Sequence, residues 1–274
     1  MGINFIEPRS QTDPDNGDRE PKHGPTLEDL KQMNFGFGSI TLDTESAPGK
    51  TIATLPIQGF LPSSEKTWDI WREIRAAIGE RLSRVAGADA LLVDLRDNNG
   101  GDPSTVAFVM SYLLDDGPKH LLDFVDRSGK VDESFSTLPI DELPAGTNAF
   151  GGTKPLFVLT TENTISGGED MAYGLQVFQR AIAVIGEGNE ATAGAANPIT
   201  KPQFICEEAF GDKWWLAAIP VVKPVHAVTR SNWERFGVKS DVVAGKGEWV
   251  GVENAKEVAT TFAVRILGEG KNEL

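Results

Sequence analysis

The sequence predicts an α/β fold built on a mostly parallel sheet. Three observations carry this reading. The runs LLVDL, PLFVL and AIAVI are continuously apolar, as strands covered on both faces are. Amphipathic helical patterns lie between them, and the resulting β-α-β-α-β alternation points to parallel strands joined by right-handed crossovers.

Residues 1–31 are crowded with Pro, Asp, Gly and Glu and show no sustained apolar period, which predicts a mobile N-terminal arm. One domain is expected over 32–268, with a short C-terminal tail over 269–274. Its first strands are expected in Phe35–Leu42 and Thr51–Leu61, a hairpin turned at Ala47-Pro48-Gly49. Trp68, Trp71, Ile74, Ile78, Leu82 and Val85 follow at spacings of three and four, one face of a helix that Ser64 can cap. The strand ADALLVDL comes next. Pro103 suits the first turn of a second helix, STVAFVMSYLLDD, stopped by Gly117-Pro118. After an extended run that starts at His120, PLFVLTT reads as a strand and GGEDMAYGLQVFQ as a helix with Met171, Leu175 and Phe178 inward. AIAVIGE is a third strand, KWWLAAIPVV is extended, and ENAKEVATTFAVRIL is a closing amphipathic helix.

Composition narrows the function. With 274 residues, 40% of them hydrophobic, the chain can bury one large core. A net charge of −14 repels nucleic acid and anionic membrane surfaces, so neither is an expected partner. There is no apolar run of membrane-spanning length and no basic segment followed by an apolar one at the N-terminus, which predicts a soluble chain without an export signal. The single cysteine, Cys206, can form neither an intrachain disulfide nor a thiolate cluster, and a buried structural thiol is expected. Neither a cofactor nor a metal is expected. Oligomeric state is left open.

In open α/β sheets ligands gather beyond the carboxyl ends of strands, and two βα turns here are unusual. LLVDLRDNNGGDP ends a core strand in adjacent Gly100 and Gly101, which permit close backbone approach. TTENTISGGED sets Ser166 at a helix start, followed by Gly167 and Gly168. A serine on such a bend exposes its hydroxyl as a nucleophile, and Gly167 with Gly100 or Gly101 can supply backbone donors for an oxyanion. The competing reading makes Ser166 a helix cap, with Glu169 completing a capping box, and Gly100-Gly101 an ordinary tight turn. Asp94 and Arg96 share a strand face and are expected to pair. Glu169 and Asp170 suit the first helical turn by charge. Of the adjacent Trp214 and Trp215, at most one can face a groove.

Four blocks in order, ALLVDLRDNNGGDPSTVAFVMSYLLDDGP, PLFVLTTENTISGGEDMAYGLQ, AIAVIGEGNEATAGAANP and NWERFGVKSDVV, resemble the signature segments of the S41 serine peptidases, the tail-specific or C-terminal processing proteases. The blocks lie between residues 34 and 266, and the closer likeness is to the interphotoreceptor-retinoid-binding-protein-like branch. The resemblance implies a ClpP/crotonase-like β-α superhelical core and a peptide or protein substrate. It also implies Ser166 as nucleophile, Gly167 and the Gly100-Gly101 turn as oxyanion donors, and Glu234 at the family's glutamate in the Trp-Glu-x-x-Gly-Val block. Two departures stand out. GEGNEATAGAANP lacks the lysine of a Ser-Lys dyad, and Ile3 stands where related members carry a histidine. Glu234 is then expected to orient or replace the missing base. His23, His120 and His226 are the remaining histidines, each expected in a surface or structural role. The alternative from another class is a non-catalytic protein on this scaffold that binds a small apolar ligand or peptide.

Overall fold

The computed structural model describes residues 26–62, 68–115, 117–198, 202–205, 215–218 and 220–269. The expectations for His23, Ser64, Cys206, Trp214 and the tail beyond 269 lie outside the described residues, as does most of the N-terminal arm.

In chain order the elements are α1 (Leu27–Gln32), β1 (Thr41–Asp43), β2 (Ile52–Pro56), α2 (Trp68–Val85), β3 (Ala90–Asp94), α3 (Pro103–Met110), β4 (His120–Asp126) and β5 (Val131–Ser136). They continue as β6 (Leu156–Thr160), α4 (Gly167–Val177), β7 (Ala183–Gly186), β8 (Pro202–Ile205), β9 (Trp215–Ala218), β10 (Val222–His226), β11 (Val242–Val243) and α5 (Ala255–Glu269). The central sheet has the order β1-β2-β3-β6-β7-β11. β2, β3, β6, β7 and β11 run parallel, and β1 closes one edge antiparallel to β2.

The apolar runs are buried on both faces, as their composition requires. Leu91 and Val93 of β3 point to one layer with Ile74, Ile78 and Leu82 of α2. Ala90 and Leu92 point to the other, against Ala255, Val258 and Ala259 of α5. Period-two alternation along a strand therefore divides the core into two layers.

Four expectations change in detail. The segment 27–31, expected within the mobile arm, forms α1, because Thr26 and Asp29 cap each other (Thr26 N to Asp29 Oδ2, 2.8 Å) and Leu30 is 1% exposed in the core. The first hairpin is shorter than expected, since Phe35 sits in a turn with left-handed backbone at φ 54°. α3 stops at Met110, where Ser111 Oγ donates back to Ala107 O (2.8 Å) and the chain turns. KWWLAAIPVV divides between β9, paired with β8, and β10.

β10, β4 and β5 form a separate antiparallel sheet. The β4-β5 hairpin had a legible signal in DRSGK. There Asp126 Oδ1 accepts from Ser128 N (2.8 Å) and Lys130 N (2.9 Å), an Asx-type turn. Among the described residues no helix is long and apolar enough to cross a membrane.

Candidate active site

β3 and β6 are neighbours in the sheet, so the turns after them leave from adjacent carboxyl ends. Polar contacts stitch these turns together. Thr164 Oγ1 donates to Leu95 O (2.8 Å), Thr161 Oγ1 to Arg96 O (2.7 Å), and Ile165 N to Asn98 O (3.1 Å). Asn98 is wholly buried, its Nδ2 donating to Ile57 O and its Oδ1 accepting from Gly100 N, both at 2.8 Å. Nothing in the sequence separates Asn98 from the exposed Asn99 beside it; only burial does.

The expected meeting of the two glycine turns takes place. A Cβ on Gly100 would lie 2.8 Å from Ser166 Cβ, and one on Gly167 would lie 3.1 Å from Gly101 N. Gly100 and Gly101 hold φ of 85° and 134°, a region that side chains disfavour. Of the three glycine N–H groups considered, that of Gly100 is taken up by Asn98 Oδ1. Those of Gly101 and Gly167 find no acceptor among the described residues, and Gly167 opens α4, where backbone donors are unpaired by geometry.

Ser166 has φ 54° and ψ −113°. A helix-capping residue ordinarily sits in the β region, whereas this conformation is strained for any residue with a side chain. Strand-to-helix turns that present a nucleophilic serine are strained in this way. The capping box of the competing reading is also present, with Ser166 N donating to Glu169 Oε2 at 2.9 Å.

Glu169 and Asp170 stand in the first turn of α4, as expected, and both are buried there. Glu169 accepts from Thr192 Oγ1 (2.6 Å), Gly194 N (2.6 Å) and Ala195 N (2.9 Å) in addition to Ser166 N, and so ties the segment after β7 to the serine turn. Asp170 is 6% exposed, and burial raises its carboxyl from 3.8 to about 7.

The turn floors a cavity of about 330 Å³. Ser166, Gly167, Gly101 and Asp170 line one side, and Leu122, Phe124 and Phe135 of the antiparallel sheet line another. Trp233 and Ala196 add to its wall. Glu234, next to Trp233, does not touch Ser166 among the contacts of the described residues. Its Oε2 accepts from Ala196 N (2.9 Å) and Asn197 N (3.2 Å), which fixes the wall.

The described histidines stand apart from the cavity lining. His226 is 1% exposed, and burial, with His120 adding to it, pushes it down to about 4, so it is neutral. Its ring centroid lies 5.3 Å from that of Tyr173 and 5.4 Å from that of Phe178. His120 Nε2 lies 2.7 Å from Asp123 Oδ1. The expected pairing of Asp94 and Arg96 forms: Arg96 Nε and Nη2 reach the two Asp94 oxygens at 2.9 and 2.8 Å, and Nη1 reaches Glu187 Oε2 at 2.7 Å. Those carboxylates hold the Arg96 guanidinium above its ordinary range.

Gly101→Ala follows as a severe change. Its Cβ would stand 1.9 Å from Phe60 O on a backbone that alanine disfavours. A loss of more than about 1 kcal/mol is expected in urea denaturation. A midpoint equal to wild type would show that the turn can relax.

The model of peptidase family S41 matches residues 51–208, more than half of the chain and both glycine turns. The chain belongs to peptidase family S41. Solved structures agree on the fold. The photosystem II D1 C-terminal processing protease is 19% identical with a TM-score of 0.50, over 75% of this chain and 48% of that one. A proposed S41 protease from Bacteroides fragilis is 16% identical with a TM-score of 0.58, over 85% of this chain and 58% of that one. A lipoprotein from Streptococcus agalactiae is 15% identical with a TM-score of 0.52, over 80% and 70%. The chain thus spans about half the length of the processing protease it resembles. Its architecture is the ClpP/crotonase-like α/β core with a mostly parallel sheet, as the sequence blocks implied.

Proposed function

We propose that this S41 family member is a serine-type peptidase acting on a peptide or protein substrate, with Ser166 as nucleophile. The observation that carries the reading is the Ser166 backbone, φ 54° and ψ −113°, at the mouth of α4 and lining the cavity. A capping serine has no need of that strain. In the proposed reaction Ser166 Oγ attacks the scissile carbonyl, and the oxygen that becomes negative is met by the N–H groups of Gly101 and Gly167. Loss of one such donor costs about 3–4 kcal/mol of transition-state stabilisation in acyl transfer. Gly100 shapes the turn, because its own N–H is engaged by Asn98. Glu234 acts as a positioning residue through Ala196 and Asn197.

The likeness to the retinoid-binding-protein-like branch is part of this proposal and rests on the sequence blocks. A second reading, a non-catalytic S41-like protein holding a small apolar ligand or peptide, draws on one observation. Among the described residues neither lysine nor histidine lines the cavity, while Leu122, Phe124, Phe135 and Trp233 do. Incubation of the full chain with an unfolded protein substrate, read by mass spectrometry for new termini, separates the two. New termini made by wild type and absent with Ser166→Ala are the expected result. Equal cleavage by both would remove Ser166 from the reaction. No cleavage, together with saturable ligand binding that Ser166→Ala leaves unchanged, would favour the second reading.

A further inference from the structure

A serine hydroxyl needs a proton acceptor to attack at neutral pH. The titratable side chains lining the cavity among the described residues are Asp102, Glu133 and Asp170, all carboxylates. Asp102 caps α3, its Oδ1 accepting from Ser104 N at 2.8 Å. Glu133 belongs to β5 of the antiparallel sheet, and burial, with the charges of Asp102 and Asp132 adding to it, raises its carboxyl. Asp170 stands one helical turn beyond Ser166, with its N–H donating to Ser166 O at 2.9 Å, and both residues line the cavity. It is 94% buried by its 6% exposure, and its carboxylate accepts no hydrogen bond from the described residues. A buried carboxylate with no hydrogen-bond partner among the described residues, facing a cavity beside a strained serine, is costly to maintain for packing alone.

We propose that Asp170 is the general base and acid of this site, in place of the family's lysine or histidine. This rests on the peptidase reading above. As Ser166 Oγ bonds to the scissile carbon, its proton passes to Asp170 and the carbonyl π pair moves to the oxygen between Gly101 N and Gly167 N. Collapse of the tetrahedral species breaks the C–N bond, and the departing amine takes the proton from Asp170. Water then attacks the acyl-serine ester and gives a proton to Asp170. Collapse of this second adduct returns that proton to Ser166 Oγ and frees the carboxylic acid. Peptide and water become acid and amine with no other reactant.

Asp170 works as a base when ionised, and its carboxyl is raised to about 7, so reactivity climbs as pH rises through neutrality. Glu133, whose carboxyl burial also raises, gains negative charge in the same direction as pH rises.

The test is the rate at which a fluorophosphonate labels the full chain across the neutral range, for wild type, Asp170→Asn, Asp170→Ala and His23→Ala. Wild type is expected to accelerate as pH rises through about 7, Asp170→Asn to slow by about 100-fold or more, and His23→Ala to match wild type. Added formate is expected to restore part of the rate in Asp170→Ala. In thermal melts Asp170→Asn is expected to be more stable than wild type at alkaline pH, because it removes a buried charge, with the gain absent in acid, where Asp170 is protonated. An Asp170→Asn rate and pH profile equal to wild type would overturn the inference alone. So would loss of stability in Asp170→Asn at every pH, the mark of a structural carboxylate. Wild type unreactive at every pH would remove the peptidase reading and this inference together.

Discussion

Ser166→Ala is expected to lower peptide hydrolysis to background, a loss on the order of 10⁶-fold where a serine nucleophile is removed. The fold is expected to survive, because Ser166 contributes its backbone N–H to Glu169 and alanine keeps that bond. Ser166→Gly is the sharper variant. Glycine takes φ 54° without steric penalty, so this variant is expected to be inactive yet more stable than wild type by about 1 kcal/mol. Chemical denaturation beside an activity assay reads both quantities. A Ser166→Gly variant that loses stability would mean that the serine side chain packs or caps there, and that the strain serves no reaction.

Glu169→Ala is expected to cause the largest loss of stability. The carboxylate is 0% exposed and accepts from Ser166 N, Thr192 Oγ1, Gly194 N and Ala195 N. Truncation leaves those donors facing a void, at a cost of about 3 kcal/mol or more in total. Glu169→Gln keeps one acceptor oxygen and is expected to fall between alanine and wild type. Labelling of Ser166 is expected to fall alongside stability, since Glu169 holds the turn that presents the serine. A melting temperature unchanged in Glu169→Ala would show that water replaces the carboxylate at no cost.

Much of the scaffold was legible because its signals are local. Ala90–Asp94, Leu156–Thr160 and Ala183–Gly186 are apolar throughout, and only strands covered on both faces tolerate that. Ser166, Gly167, Gly100 and Gly101 were legible as a pair of odd turns, and strand order made them meet. What escaped the sequence depends on burial from a distance. Asn98 reads like Asn99, and Glu169 and Asp170 read only as first-turn acids of a helix, with no sign of their burial. All three are buried because elements far along the chain close over α4 and the two turns. The choice between Gly100 and Gly101 as donor likewise turned on one contact, Gly100 N to Asn98 Oδ1. Glu234 was legible by its block, yet its work on Ala196 and Asn197 was not, since those residues are remote in sequence.

The most direct measurement is intact mass spectrometry of the folded full chain after treatment with a fluorophosphonate, beside Ser166→Ala. A single adduct on wild type, mapped to Ser166 and missing from the variant, is the expected result of the proposed reaction, in which the strained Ser166 attacks and the N–H groups of Gly101 and Gly167, without acceptors among the described residues, meet the oxyanion. A folded wild type that carries no adduct, or the same adduct on both proteins, would contradict the assignment of Ser166 as an activated nucleophile.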